Sequence, residues 1–128
     1  MGHPHRVLVV EDDDDLRDAM LHLLRTAGYV PIGAANGSEA LERLRGGAPP
    51  CLILLDLMMP VVDGWEFRRR QLQLPKVAGI PVIVCTAYRE AHDMGSLRVE
   101  HVVGKPIDLP ALLDVISRCC AREDASAS

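Results

Sequence analysis

The chain has 128 residues, 48% hydrophobic and 25% charged, with a formal net charge of −4 at pH 7. That length is one domain with room for a real core, and the acidic balance argues against direct binding of nucleic acid, which calls for a basic face. No apolar run is long enough to span a bilayer and the amino terminus lacks a signal-peptide core, so a cytoplasmic protein without membrane insertion is expected.

Taken in chain order, residues 6–10 (RVLVV) form a short β-type run that stops abruptly at acids. Leu16, Met20, Leu23, Leu24 and Ala27 then recur at helical spacing, and Gly28 closes that helix. Residues 29–34 make a weaker strand. Asn36 can cap the next helix, with Glu39 three residues on and Ala40, Leu41 and Leu44 as its buried stripe. A GGAPP turn leads into the wholly apolar strand 51–55, and Asp63-Gly64 opens a third helix reaching about Leu74. Residues 80–85 form a fourth strand and 99–103 a fifth. Leu109, Leu112, Leu113, Ile116 and Cys120 mark the last helix, and residues 123–128 read as a flexible tail after a domain of 1–122. Arg68-Arg69-Arg70, the compact basic run, reads as a solvated helix face. None of Cys51, Cys85, Cys119 and Cys120 has CxxC spacing, so reduced, buried thiols are expected; His3 and His5 read as a frayed end without a metal role.

Strands alternate with helices, and the central strands are apolar on both faces. That predicts a parallel sheet covered on each side, an α/β doubly wound, flavodoxin-like fold of five strands in the order 2-1-3-4-5. In such sheets the site lies beyond the carboxyl ends of the strands, at the switch between strands one and three. Glu11-Asp12, Asp56, Thr86 and Lys105 follow four strand ends and are expected to meet there.

Five consecutive carboxylates, Glu11 to Asp15, follow the first strand. Asp14 and Asp15 suit the amino terminus of a helix. Glu11 and Asp12 lie closest to Asp56, and like charges about 4 Å apart repel by about 4 kcal/mol at an effective dielectric of roughly 20. Three such groups need a cation. Carboxylates, a backbone carbonyl and waters form a hard oxygen site suited to Mg²⁺, and Lys105 adds a fixed positive charge.

These residues resemble the receiver domain of bacterial two-component response regulators. The likeness spans nearly the whole chain and rests on VLVVEDD at the first strand, LILLDLMMPVVDGWEF at the third, VIVCTA at the fourth and VVGKPID at the fifth. The resemblance implies that Asp56 accepts a phosphoryl group from a sensor histidine kinase or phosphotransfer protein. It implies Mg²⁺ held by Asp12, by Asp56, by the carbonyl of Met58 and by Glu11 through water. Thr86 would be the switch hydroxyl, Lys105 would pair with a phosphoryl oxygen, and Lys105-Pro106 would be a cis peptide. Pro60 and Asp63-Gly64 would shape the far side of the site. The module would be regulatory rather than an enzyme, a monomer or weak homodimer, and would switch the binding of a downstream protein.

Two departures stand out. Receivers usually carry an aromatic residue three positions before the lysine, where this chain has Val102, with His101 beside it. The stretch from Thr86 to Lys105 is also shorter than usual by about one helical turn, and residues 89–97 are polar, so the fourth helix is expected to be short, irregular or mobile. Met58 and Tyr88 flank the acceptor, and their bulk is expected to slow hydrolysis of an acyl phosphate. Trp65 reads as partial packing. Competing functions are a degenerate receiver that binds partners without phosphorylation, a Mg²⁺-dependent phosphohydrolase, and a flavin mononucleotide protein. The phosphohydrolase needs an acid where Met58 stands, and five carboxylates would repel a flavin phosphate.

Overall fold

The computed structural model describes residues 5–59, 62–87 and 98–127, with backbone alone over 122–127. The described elements are β1 (Arg6–Val10), α1 (Asp14–Thr26), β2 (Val30–Ala34), α2 (Gly37–Arg45), β3 (Leu52–Leu55), α3 (Gly64–Leu72), β4 (Val82–Thr86), β5 (His101–Gly104) and α4 (Leu109–Ala127). The five strands form one parallel sheet in the order β2-β1-β3-β4-β5, as the sequence predicts. The expected short helix at 89–97 lies outside the described residues, as do His3, Pro60 and Tyr88.

Successive side chains of a strand point to opposite faces, and the core divides accordingly. Leu8, Val10, Ile53, Leu55, Val82 and Val84 face α2 and α3, where Ala40, Leu41, Leu44 and Phe67 close over them. Val7, Val9, Leu52, Leu54, Ile83 and Cys85 face α1 and α4 and meet Met20, Leu24, Leu112, Ile116 and Cys120. Trp65 packs partly buried against the first of these layers, as expected. Pro31 is accommodated because β2 lies at the sheet edge, where a missing N–H costs no ladder bond on the open side.

Helix starts follow the acids and the asparagine. Asp13, rather than Asp14 or Asp15, caps α1 by accepting from the Leu16 N–H at 3.1 Å. Asn36 accepts from Glu39 N at 2.8 Å and Asp63 from Glu66 N at 2.9 Å. At the other end of the chain, α4 stays helical through Ala127, past the boundary at 122 read from the sequence. Its last residues are rich in alanine and hold no glycine or proline to stop the helix.

The arginine run corrects its sequence reading. Arg69 and Arg70 pair with Glu66 on the surface, but Arg68 is buried. Its guanidinium donates to Gln71 Oε1 at 2.7 Å and to the Arg98 carbonyl at 2.8 Å, while Gln71 Nε2 donates to the carbonyls of Val77 and Ile80. Helical geometry turns one arginine of three inward, where backbone carbonyls left open by the chain reversals before β4 and β5 receive it.

Candidate functional site

The carboxyl ends of β1 and β3 lie side by side, with Val10 in register with Leu55. The next residues carry the acids. The Asp56 N–H donates to the Val10 carbonyl at 3.0 Å, and the Glu11 N–H to the Ala34 carbonyl at 3.1 Å, so backbone pairing fixes both just beyond the strands. Glu11 and Asp56 are buried and Asp12 is exposed, and each offers an oxygen within 4.8 Å of the others.

Lys105 arrives from β5. Its N–H donates to the Thr86 carbonyl at 3.0 Å, and the Lys105-Pro106 peptide is cis. The ammonium stands 2.8 Å from Glu11 Oε1 and 3.2 Å from Asp56 Oδ2. Thr86 is buried at the end of β4, beside the strand that carries Asp56. Met58 lies in the turn after β3, where its N–H donates to Asp56 Oδ1 at 3.1 Å, while its residue is 57% exposed. Glu11, Asp12, Asp56 and Lys105 are thus brought together from three strand ends.

Electrostatics describe a site with excess negative charge. Burial pushes the Glu11 carboxyl up to about 7, against hydrogen bonds from Lys105 and the Asp13 N–H. Burial also raises Asp56, opposed by the Met58 N–H and by Lys105. Burial alone would lower Lys105, but the hydrogen bond to Glu11 and the charges of both buried acids hold it above its usual value. Three carboxylates and one ammonium leave a net charge of −2 when all are ionised. Glu11 Oε1 is buried and, apart from the Lys105 ion pair, receives no well-directed hydrogen bond among the described residues. An all-oxygen donor set of that charge fits Mg²⁺.

Two contacts were not legible in the sequence. Arg17 reaches back from α1 to the Glu11 carbonyl at 2.8 Å, fixing the acidic turn from behind. Gly64, the first residue of α3, donates its N–H to the Leu57 carbonyl at 3.0 Å and lies against the backbone that follows Asp56. Its importance is close approach, because a Cβ there would stand 2.5 Å from Leu57 Cα. A glycine at a helix start is a signal for such an approach only once the partner strand is known.

The model of the response regulator receiver domain family matches residues 7–117. The polar-differentiation response regulator DivK of Brucella anthropi is 33% identical over 116 residues, covering 88% of this chain and 94% of that protein. Among solved structures, the chemotaxis response regulator CheY4 of Vibrio cholerae superposes with a TM-score of 0.84 at 27% identity, over 91% of this chain and 99% of that one. The response regulator TrrA of Thermotoga maritima, solved in complex with Mg²⁺-BeF, matches with a TM-score of 0.78 at 28% identity, over 90% of this chain and 98% of that one. With its sheet order, its acid cluster and these likenesses, the chain belongs to the response regulator receiver domain family, the regulatory signalling module of two-component systems.

Proposed function

We propose that Asp56 is the phosphoacceptor of a two-component relay, receiving its phosphoryl group from a histidine kinase or a phosphotransfer protein. A carboxylate oxygen of Asp56 attacks phosphorus, the P–N bond to the donor imidazole breaks, and that electron pair returns to the ring. Phosphoryl transfer is governed by positioning and charge neutralisation, so an ionised carboxylate needs no general base. The observation that carries this reading is the Lys105 ammonium at 2.8 Å from Glu11 and 3.2 Å from Asp56, with Asp12 beside them.

Asp12, Asp56 and the Met58 carbonyl would hold Mg²⁺ directly and Glu11 through water. The ion supplies charge neutralisation to an anionic group approaching three carboxylates. Lys105 pairs with a phosphoryl oxygen, and Thr86 supplies the hydroxyl that responds to it. The Met58 N–H, already on Asp56 Oδ1, orients the acceptor. TrrA with its Mg²⁺-BeF supports the metal assignment by likeness. The chain acts in the cytoplasm as a monomer or weak homodimer whose phosphorylation alters binding of a downstream protein. At most it catalyses its own phosphorylation from small donors and its own dephosphorylation.

Incubation with acetyl phosphate and Mg²⁺, followed by intact mass measurement, tests this. One phosphoryl group per chain is expected, absent without Mg²⁺ and absent in Asp56→Asn. An unchanged mass, or equal labelling of Asp56→Asn, overturns the assignment.

A further inference from the structure

The opposite end of the sheet holds a second group of ligating side chains, remote from the acids. His5 immediately precedes β1 and Cys51 immediately precedes β3, and parallel pairing sets them side by side through a 2.8 Å hydrogen bond from the Cys51 N–H to the Arg6 carbonyl. Cys120 comes from α4, which crosses this face of the sheet. One ring nitrogen and two sulfurs, from residues 46 and 69 positions apart along the chain, lie within 4.8 Å of one another. The proximity is invisible in the sequence because the donors sit on three separate elements.

We infer that His5, Cys51 and Cys120 form a binding site for a thiophilic divalent ion such as Zn²⁺. Tetrahedral Zn²⁺ bonds sulfur at about 2.3 Å and imidazole nitrogen at about 2.05 Å, which sets adjacent S···N and S···S edges near 3.6 and 3.8 Å. His5 Nδ1 stands 3.3 Å from Cys51 Sγ, close to such an edge already. The sulfurs need to contract by at most about an ångström from the 4.8 Å bound. Two thiolates and a neutral imidazole cancel the charge of the ion, which suits a place where Cys120 is buried and His5 and Cys51 are half-buried. Three protein ligands leave the fourth position to water. Soft sulfur donors reject Mg²⁺, so this site and the acid cluster sort their metals by ligand chemistry.

Supporting side chains are in place. The Tyr29 ring lies 6.2 Å from the His5 ring, centroid to centroid, and its hydroxyl is 3.3 Å from Ser117 Oγ, one helical turn before Cys120. The Cys51 thiol is drawn down to about 6, first by its hydrogen bond with Cys120 and then by His5, against the effect of burial. Cys85 differs: burial pushes it up to about 12, deep among the strands.

Titration of the reduced full chain with Co²⁺, a spectroscopic substitute for Zn²⁺, is the test. Expected are thiolate-to-cobalt charge-transfer absorption and the intense visible bands of tetrahedral cobalt, saturating at one equivalent. Zn²⁺ should abolish them and excess Mg²⁺ should not. Cys51→Ser and Cys120→Ser should lose the charge-transfer signal in full or in part and weaken Zn²⁺ binding by about 100-fold or more, while Cys119→Ser keeps both. Should a serine variant misfold, His5→Ala, at a half-buried position, must still weaken Co²⁺ by at least about tenfold with an unchanged circular dichroism spectrum. Absence of charge-transfer absorption overturns the inference. So do bands that survive intact in Cys51→Ser, or a Cys51–Cys120 disulfide forming in a chain that binds no cobalt when reduced.

Discussion

Replacing Gly64 with alanine puts a methyl group into the backbone that carries Asp56, the proposed acceptor. The new Cβ would lie 2.5 Å from Leu57 Cα, 2.6 Å from the Asp56 carbonyl oxygen and 2.8 Å from Leu57 Cδ2. Ordinary contact begins near 3.4 Å, so the start of α3 and the turn after β3 must part by about 0.9 Å. Two of the three atoms are backbone and cannot swing away. Overpacking of this kind costs about 1–3 kcal/mol, and the better helix propensity of alanine offsets up to about 1 kcal/mol. A net loss of about 1–2 kcal/mol, at an unfolding entropy of about 2.1 cal/mol/K per residue, lowers Tm by about 4–7 °C. The same displacement reaches Asp56, and misplacement of a reacting group by about 1 Å can cost on the order of 100-fold in rate. Thermal unfolding by circular dichroism and acetyl phosphate labelling well below Tm measure the two effects. Gly37→Ala is the comparison, since the three atoms nearest its Cβ all belong to Val62, with the carbonyl oxygen at 2.5 Å. Unchanged Tm and labelling in Gly64→Ala, or an equal labelling defect in Gly37→Ala, would refute the reasoning.

Because burial holds Glu11 near 7 when no metal is bound, the folded chain retains protons that the unfolded chain gives up. Stability should therefore fall as pH rises from about 4.5 to about 7, and Mg²⁺ bound at the proposed site should restore it; chemical denaturation across that window should show a shallower fall in Glu11→Gln. Arg68→Met leaves the Arg98 carbonyl without its donor and should cost about 1–3 kcal/mol by urea unfolding. Arg69→Met, at an exposed position, should stay within about 0.5 kcal/mol. Met58→Asn should hydrolyse its acyl phosphate faster than the parent chain, read as loss of the phosphorylated mass with time.

Much of the fold is legible because apolar runs that end in acids, hydroxyl or lysine mark strand tips, and alternation with helices fixes a parallel sheet. The acid cluster follows from the same rule: Glu11 and Asp56 come directly after a strand, and Asp12 is one residue further on. Strand limits shift by one or two residues, as at β5, whose described extent is His101–Gly104, because edge strands such as this one carry few buried side chains to fix a pattern. The inward turn of Arg68 was hidden because a buried guanidinium depends on carbonyls 12 and 30 residues away. The His5, Cys51 and Cys120 group was hidden for the same reason, as its meeting depends on strand register and helix crossing rather than on local spacing. The close approach of Gly64 to Leu57 likewise exists only in three dimensions.

The guanidinium of Arg68 holds the carbonyl of Arg98, a non-glycine residue with φ of 53°, just where the chain re-enters the sheet. This latch ties the entry of β5 to α3. Insertions or deletions between Ala87 and Arg98 can then accumulate with small entropic cost while Lys105 keeps its station beside Asp56. The length of that stretch can vary without moving the acid cluster and its lysine at the strand tips.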